Sequence, residues 1–307
     1  MNDLVRTPLV SVIIVNWNRC DDVIETLQKL SNINYKNIEV IVVDNGSDDN
    51  SLEIFTQKFP SINLIALPNN IGCEDGNNVG ILNSNGEFIV FLDSDADIEP
   101  DGINKMIRVF NSDYKIGIVE PRIIRPADNR ILNEAKYWPK SNTFTGCVVA
   151  FRASVFEKVG LRPGEFFLYS SEPEICLRVI EAGFKILHCS DIVGYHRESP
   201  VARTNKMFYY LATRNTVWLI WRHYPFFSGI YETLILFIVH FYRSLRHRAL
   251  HYFLWGFIVS IYRFRSQVIG KRKPLKRFNE ARVFPGLKML IKIIYMKLNG
   301  EKQVEAK

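Results

Sequence analysis

The chain of 307 residues is poor in cysteine, glycine, proline and long apolar runs. Its 5 cysteines are scattered and form no Cys-x-x-Cys pair, which argues against a disulfide-stapled scaffold and against a zinc cluster. They are predicted to be free thiols in a reducing compartment. With 17 glycines, 13 prolines and 47% hydrophobic residues, the composition excludes collagen, coiled coil and intrinsic disorder. The length predicts two domains.

The N-terminus lacks the pattern of a secretion signal. Its apolar run covers only Leu9–Val15, is β-branched, and is not followed by a small-residue cleavage site. We therefore expect the N-terminal domain to lie in the cytosol.

Acidic residues are nearly absent from the C-terminal third. Residues 201–307 contain 20 Lys and Arg against 4 Asp and Glu, whereas residues 1–200 contain 19 against 28. This asymmetry predicts a domain over 1–200 and a basic domain over 201–307 that face different partners.

The apolar stretches of the basic domain are short. Phe226–Tyr242 has 17 residues and Leu250–Tyr262 has 13, whereas a spanning helix needs about 20. With their arginine flanks and the basic run 271–277, they predict amphipathic helices lying on an anionic membrane surface. Another basic helix is predicted over Phe284–Leu298. The alternative is a basic helical domain that packs on the core or docks a protein.

Short Val/Ile-rich segments alternate with segments of helical period over the first 110 residues. This order predicts an α/β fold, with a mostly parallel central sheet, flanking helices and right-handed crossovers. Strands are predicted at Leu9–Val15, Ile38–Val43, Ile62–Leu67 and Phe88–Leu92, and in a second half of the sheet at Val148–Phe151, Lys185–His188 and Ile192–His196.

Asn and Asp residues follow each of the first four strands. Ligands of such sheets bind at the carboxyl ends of the strands. Any one of these segments would be an ordinary turn, but four in succession predict a polar ligand. They are Asn16–Asn18, Asp44–Asp48, Asn69–Gly72 and Asp93–Asp95.

Two of these segments indicate specific chemistry. In an extended chain Asp93 and Asp95 point to one side, and two carboxylates there repel unless they hold a cation such as Mg²⁺ or Mn²⁺, which binds diphosphates. Asp44 is placed to accept the imide N–H of a uracil or thymine. The alternatives are a solvated acidic turn and a helix cap formed by Ser47 or Asp48.

Six ordered segments resemble glycosyltransferase family 2, over about residues 8–200. The opening NWN and the block N-x-G-x-x-x-G-N-N-x-G are similar to rhamnosyltransferase-like members that build bacterial polysaccharides. The resemblance implies a GT-A fold. The segments are VSVIIVNWN, VIVVDNGSDDNS, NNIGCEDGNNVGI, FLDSDADIEP, TGCVVAFRASVFEKVG and EFFLYSSEPEICLRVIEAGFKI.

The resemblance also implies residue roles. Asp95 would ligate the metal, Asp93 would touch the ribose or a metal-bound water, and His196 would face the metal or diphosphate. The remaining residues would bind the nucleotide-sugar: Asp44 the base, with Asn16 and Asn18 in the same pocket; Asn70, Gly76 and Asn77 as a loop over ribose and sugar; and Gly146 where the backbone approaches the sugar.

The catalytic base departs from the family pattern. Members usually carry a Glu-Asp pair after Phe-Phe-x-Tyr, and here Ser171 and Glu172 stand in its place. Glu172 is the predicted base, because an inverting transfer needs one carboxylate near the acceptor hydroxyl. Glu174 is the alternative base. Structurally, Ser171 and Glu174 have the spacing of a capping box.

These observations predict an inverting, metal-dependent glycosyltransferase that acts on a nucleotide-sugar and on a lipid-linked or growing polysaccharide acceptor. dTDP-rhamnose is the first choice of donor, with UDP- and GDP-sugars open. The enzyme would lie peripherally on the cytoplasmic side of the inner or plasma membrane. Arg197 and Arg203 are candidates to clamp the diphosphate, and Tyr137 and Trp138 to stack on the acceptor.

Two other classes are less well supported. A nucleotidyltransferase usually has a Gly-rich, Arg-containing loop after its first strand, whereas this chain has Asn16-Trp-Asn-Arg-Cys20. A non-catalytic membrane or nucleic-acid binding module leaves the acidic strand ends unexplained. Because these carboxylates repel a phosphate backbone, no nucleic-acid partner is expected.

Overall fold

A computed structural model of the chain describes residues 7–133, 142–199 and 204–276. The described residues fall into two compact units, the first formed by 7–133 with 142–199 and the second by 204–276. Some sequence predictions lie outside the described residues. They are the acceptor-stacking residues Tyr137 and Trp138, the diphosphate-binding Arg203, and the helix Phe284–Leu298.

The first unit is built on one sheet, which has nine strands within the described residues. In space their order is β3-β2-β1-β4-β8-β6-β9-β5, with β7 beside β6. The strands are β1 (Val10–Asn16), β2 (Ile38–Asp44), β3 (Asn63–Ala66), β4 (Phe88–Leu92), β5 (Ala96–Ile98), β6 (Ile116–Arg125), β7 (Arg130–Ile131), β8 (Val148–Arg152) and β9 (Lys185–His196).

The parallel half of the sheet confirms the predicted α/β fold. Strands β3, β2, β1 and β4 run parallel, and the apolar sequences of β1 and β4 suit strands covered on both faces. Asn16 is the register partner of Asp44. The two side chains therefore meet at the carboxyl edge of the sheet, where a ligand is expected.

Helices cover both faces of this sheet. Successive strand residues point to opposite faces, so Val12 and Ile14 of β1 enter one core cluster and Ile13 the other. The first cluster contains residues of α1 and α4, and the second contains residues of α3, α5 and α6. The helices are α1 (Cys20–Leu30), α2 (Ser51–Lys58), α3 (Cys73–Leu82), α4 (Gly102–Ser112), α5 (Ser154–Val159) and α6 (Ser171–Glu181), with a 3₁₀ turn at Gly164–Phe166.

The second half of the sheet differs from the prediction. Strand β6 was not predicted, because Glu120 and Pro121 interrupt its apolar run. The two strands predicted over 185–196 are one strand, β9. Its pairing with β6 jumps from Pro121–Cys189 to Arg122–Val193, so residues 190–192 are accommodated in a bulge.

Strand β5 follows directly after Asp95 and pairs antiparallel with the end of β9. Ala96 is the register partner of His196. The fold thereby brings His196 to the acidic segment after β4, although about 100 residues separate them.

The second unit confirms the predicted helical C-terminal region. Its core includes the buried side chains of Trp218, Tyr224 and Phe253. In the part of the chain that the structure describes, no helix combines the length and apolar character needed to cross a bilayer. The helices are α7 (Asn205–His223), α8 (Phe226–Arg246), α9 (Leu250–Tyr262) and α10 (Phe264–Gln267), followed by a 3₁₀ turn at Ile269–Lys271.

Candidate functional site

Two carboxylates and an imidazole converge at the carboxyl end of β4. One ligand atom from each of Asp93, Asp95 and His196 lies within 4.8 Å of the others. His196 Nε2 is 3.8 Å from Asp93 Oδ2 and 3.2 Å from Asp95 Oδ1. Oxygen and imidazole nitrogen ligands in this number suit a divalent cation such as Mn²⁺.

The carboxylates meet through a turn and not through an extended chain. The N–H of Ala96 donates to the carbonyl of Asp93 at 3.0 Å, which closes the turn around Ser94. The extended conformation considered for this segment is therefore not adopted. The turn brings Asp95 back beside Asp93 and permits β5 to leave toward β9.

Asp95 is buried among groups that stabilise its negative charge. Its Oδ2 accepts hydrogen bonds from Arg19 Nη1 at 3.2 Å and from the backbone N–H of Ser199 at 2.7 Å. Burial alone would raise the pKa of Asp95, but the neighbouring imidazole of His196, the Ser199 N–H and the charge of Arg19 outweigh it and hold the pKa well below its usual range. Asp95 is thus ionised at any ordinary pH.

The second oxygen of Asp95 supports the fit to a cation. Oδ1 is buried and accepts no hydrogen bond from the described residues, while it faces His196. A buried carboxylate oxygen without a donor is costly unless something fills its coordination. The residues therefore fit a divalent cation, which Asp93, Asp95 and His196 would hold.

The residues predicted to bind the nucleotide base form a network of hydrogen bonds with one another and with their neighbours at the ends of β1 and β2. Asn16 Nδ2 donates to Asp44 Oδ2 at 2.7 Å and to Ser51 Oγ at 2.9 Å, and the N–H of Ser47 donates to Asp44 Oδ1 at 2.9 Å. Asn18 joins it, with its Oδ1 accepting from the N–H of Asp48. Asp44 is wholly buried, so its contact with a base stays a prediction.

Asn70 belongs to a loop that a neighbouring asparagine holds in place. Asn45 Nδ2 donates to Asn70 Oδ1 and to the carbonyl of Gly72, both at 3.1 Å, and Asn45 Oδ1 accepts from the N–H of Ile71. Asn45 is buried and its role was missed. Its place directly after Asp44, at a strand end, was the available signal.

Gly76 and Asn77 are not in a loop, contrary to the prediction. Both lie in α3. A β-carbon at Gly76 would lie 2.9 Å from Val15, and one at Gly80 would lie 2.5 Å from Ile13. The glycines therefore permit α3 to pack closely on β1, and Asn77, between them, is buried.

Glu172 lies beside Gly146, close to the carboxylate cluster. A β-carbon at Gly146 would stand 2.7 Å from Glu172 Oε1. The next residue, Cys147, accepts a hydrogen bond from the N–H of Asp93 at 2.9 Å. The predicted base and the predicted metal ligands are thus brought together by the antiparallel pairing of β4 and β8.

Glu172 has the electrostatics of a base. Burial raises the pKa of its carboxyl, and the negative charge of Glu74 raises it further against the opposing charge of Arg162. A carboxylate whose pKa moves toward neutrality accepts a proton more readily at ordinary pH.

The carboxylate of Glu174 forms an ion pair with Arg178. Arg178 Nη2 donates to Glu174 Oε2 at 2.6 Å and also to the carbonyl of Leu161 at 2.9 Å. The capping box is wrong as well: Ser171 lies inside the helix, and its hydroxyl donates to Glu74 Oε1 at 2.6 Å. Of the two glutamates, Glu172 alone lies against Gly146, which favours it as the base.

The guanidinium of Arg197, a candidate to bind the diphosphate, forms hydrogen bonds within the first unit, and its contact with a diphosphate stays a prediction. Its Nη1 donates to Asp97 at 2.8 Å and its Nη2 to Thr26 Oγ1 at 2.8 Å. These bonds tie the chain after β9 to β5 and α1. The sequence reasoning missed Arg19, Glu74 and Arg162, because each acts through a partner distant in sequence.

Residues 11–171 match the Glycosyl transferase family 2 domain. The match covers more than half of the chain, and the chain therefore belongs to this family. The prediction of a glycosyltransferase is confirmed at this level.

Two curated relatives give the extent of the likeness. An uncharacterized glycosyltransferase of Haemophilus influenzae is 34% identical over 103 residues, which are 33% of this chain and 41% of that protein. The low-salt glycan biosynthesis hexosyltransferase Agl10 of Haloferax volcanii is 26% identical over 220 residues, 64% of this chain and 69% of that protein. The match thus spans less than half of the first relative's length.

Among solved structures, the chain resembles the mannosyltransferase PcManGT from Pyrobaculum calidifontis in complex with GDP-Man and Mn²⁺. The TM-score is 0.56 at 18% identity, over 96% of this chain and 81% of that one. This likeness supports the GT-A fold.

Proposed function

We propose that the protein is an inverting, metal-dependent glycosyltransferase that transfers a sugar from a nucleotide diphosphate donor. The observation that carries the proposal is the convergence of Asp93, Asp95 and His196 beside Glu172. A cation site for a diphosphate and a carboxylate for an acceptor hydroxyl are the two parts that such a transfer needs.

The proposed chemistry is a single displacement. The acceptor hydroxyl oxygen attacks C1 of the sugar from the face opposite the diphosphate, and the bond between C1 and the diphosphate oxygen breaks. Glu172 takes the hydroxyl proton. A divalent cation, when bound, would neutralise the charge that develops on the departing diphosphate. Asp93, Asp95 and His196 would hold it, and Arg19 orients Asp95.

Mg²⁺ and Mn²⁺ both fit the proposed site. Asp93, Asp95 and His196 would supply part of the ligand shell of either ion and would leave positions for diphosphate oxygens. The resembling mannosyltransferase was crystallised with Mn²⁺, which makes Mn²⁺ the first ion to test.

The proposed donor is a nucleotide-sugar with rhamnose as the first sugar to test. Its base would bind near Asn16, Asn18 and Asp44, and its sugar near Gly146. UDP- and GDP-sugars stay in the proposal, since the mannosyltransferase of like fold binds GDP-Man.

The proposed acceptor is a lipid-linked or growing glycan at a membrane surface. Helix α8 exposes a stripe of large apolar side chains, with Phe227 83% exposed, and α9 exposes another, with Trp255 57% exposed. Basic residues flank both helices: Arg243 and Arg246 lie in the last turn of α8, and Arg263 follows α9. An exposed apolar stripe with positive flanks is the combination that binds anionic bilayers.

A donor panel tests the proposal. Full-length protein is screened against dTDP-, UDP- and GDP-sugars with and without Mn²⁺, first by thermal shift and then by release of nucleoside diphosphate. We expect one donor to stabilise the protein only with Mn²⁺, and the Asp95→Ala variant to lose this effect. The matched control is Asp191→Ala, an exposed carboxylate on β9. Cation-independent donor binding, or wild-type behaviour of Asp95→Ala, would contradict the metal site.

A further inference from the structure

A buried ion pair lies next to the residue that precedes the candidate base. Glu74, in the first turn of α3, is 2% exposed, and its Oε2 accepts a hydrogen bond from Arg162 Nε at 2.6 Å. The proposed displacement uses neither residue. Burying two charges is costly, and hydrophobic packing often serves stability equally well.

The pair is fixed from several sides. The backbone N–H of Arg162 donates to Asn78 Oδ1 at 2.9 Å, and Asn78 Nδ2 donates to the carbonyl of Arg162 at 3.0 Å. The guanidinium lies over the ring of Phe91, 5.3 Å from its centroid. Glu74 is therefore held rigidly by its partner.

The loop before α6 is docked on the same helix. The carbonyl of Phe167 accepts the N–H of Cys73 at 2.8 Å, and a β-carbon at Gly72, whose φ is 94°, would collide with Phe167. Phe167, Tyr169 and Ser170 all have φ near 65°. Left-handed backbone at three such residues is costly, and it persists where the surrounding structure determines it.

A single hydroxyl joins the pair to the base. Ser171 Oγ is 2.6 Å from Glu74 Oε1 and 3.3 Å from Glu172 Oε2. A hydroxyl has one hydrogen to donate and two lone pairs that accept. The shorter contact takes the hydrogen, which leaves a lone pair of Ser171 facing Glu172.

We propose that Glu74 is a positioning residue for Glu172, acting through Ser171. When Glu172 has taken the proton of the acceptor, its new O–H can donate to Ser171 Oγ, while the Ser171 hydrogen stays on its bond to Glu74. The hydrogen-bonded chain from Glu74 through Ser171 to Glu172 thus stabilises the protonated base, while Arg162 holds Glu74 in place. The inference rests on the proposed function, since it assigns Glu172 the proton.

The charged groups around Glu172 act in opposite directions. Glu74 from α3 and Asp93 from the end of β4 favour the protonated carboxyl, and Arg162 opposes them. The thiols of Cys73 and Cys176 are neutral neighbours, because burial raises the pKa of each. Within the ion pair, the charge of Glu74 affects the pKa of Glu172 more than the charge of Arg162 does.

The test is a set of three variants of the full chain. Glu74→Gln removes the negative charge and leaves Arg162. Glu74→Gln with Arg162→Met removes both charges and avoids an unpaired guanidinium. Ser171→Ala removes the bridge. Glu157→Gln, an exposed glutamate on α5, is the matched control.

Two measurements read out the variants. The first is the pH dependence of kcat/KM, whose acid limb reports the base of the free enzyme. The second is the titration of the Glu172 carboxyl by ¹³C NMR, with the resonance assigned by its loss in Glu172→Gln. The second needs no transfer activity.

We expect the midpoint of the acid limb of kcat/KM to fall by about one pH unit in Glu74→Gln. The fall should be smaller in the double variant and in Ser171→Ala than in Glu74→Gln. KM for the donor stays unchanged. An equal loss of kcat at every pH with an unmoved Glu172 titration would reveal a purely structural pair and overturn the inference. If Glu74→Gln does not fold, an unmoved titration in both other variants overturns it.

Failure of the proposed function looks different. It is the absence of transfer by wild-type protein, whereas failure of this inference is an unchanged titration of Glu172.

Discussion

Gly146 and Glu172 are complementary: a β-carbon on the glycine would lie 2.7 Å from Oε1 of the glutamate. A β-carbon and a carboxylate oxygen do not approach this closely, so an alanine here would move the Glu172 side chain and a glycine makes room for it. Gly146 was predicted to admit the donor sugar. The structure adds that it also sets the position of the candidate base, beside the segment that carries Asp93.

The first prediction is that Gly146→Ala displaces Glu172 and lowers kcat by about 100-fold, since a displacement of about 1 Å can have this effect. Donor affinity should change little. Transfer kinetics and calorimetric donor titration check it. The control is Gly229→Ala, where the new methyl group would meet no atom closer than 3.8 Å. Normal kcat in Gly146→Ala would show that Glu172 is not the base or that it adjusts.

The second prediction separates the two glutamates of α6. Glu172→Gln should abolish transfer and keep donor binding, because it removes the proton acceptor without removing volume. Glu174→Gln should retain transfer and lower stability by about 1–3 kcal/mol, because it weakens a hydrogen-bonded ion pair with Arg178. Transfer assays and urea unfolding measure the two effects. The reverse pattern would exchange the roles.

The third prediction concerns pH. Because burial raises the pKa of Glu172 above the value of 4.5 of an ordinary glutamate, the base is charged only above that raised pKa. The rate kcat/KM should therefore fall on acidification at a pH higher than a free carboxylate would give. Asp95 does not produce this limb, since its pKa is lowered. An acid limb at or below the ordinary glutamate value would contradict the assignment.

The fourth prediction tests the packing that carries Glu74. Gly80→Ala would place a methyl group 2.5 Å from Ile13 of β1. The overpacked contact between α3 and β1 should lower the free energy of unfolding by about 1–3 kcal/mol. Urea unfolding measures it, with Gly229→Ala as the control. Unchanged stability would mean that α3 sits less closely on the sheet.

Local sequence patterns were sufficient for the parallel half of the sheet. Strands β1, β2 and β4 are Val/Ile-rich runs with turn residues behind them, so Asn16, Asp44 and Asp93 could be placed at one edge. The partners that decide the electrostatics could not be predicted in this way. Ser171 meets Glu74 across 97 residues, and such a contact has no local signature.

The capping box predicted for α6 is a second case in which a local sequence pattern did not predict the contacts. Ser171 and Glu174 have capping-box spacing, but the hydroxyl binds Glu74 and the carboxylate binds Arg178. Tertiary partners outcompeted the local hydrogen bonds. Gly76 and Asn77 were expected in a loop because the family resemblance implied one, whereas they lie in α3, where close packing on Val15 explains the glycine.

The last prediction concerns the second unit. Phe227 and Leu234 are exposed on α8, seven residues apart and hence on one face of the helix. Replacing both with Ser should weaken binding to anionic vesicles without loss of fold, because each exposed apolar side chain loses its place in the interface. Binding should also weaken with salt, since Lys and Arg near the surface each contribute about 1 kcal/mol before screening.

Flotation of full-length protein with anionic and neutral vesicles, at low and high salt, measures this binding. The control is Leu82→Ser with Tyr114→Ser, which removes two exposed side chains of similar size from the first unit. Wild-type protein should float with anionic vesicles at low salt, the control likewise, and the α8 variant poorly. Equal flotation with neutral lipid that resists salt would contradict an electrostatic interfacial attachment. If wild-type protein does not float at all, the apolar stripe of α8 serves a protein partner instead.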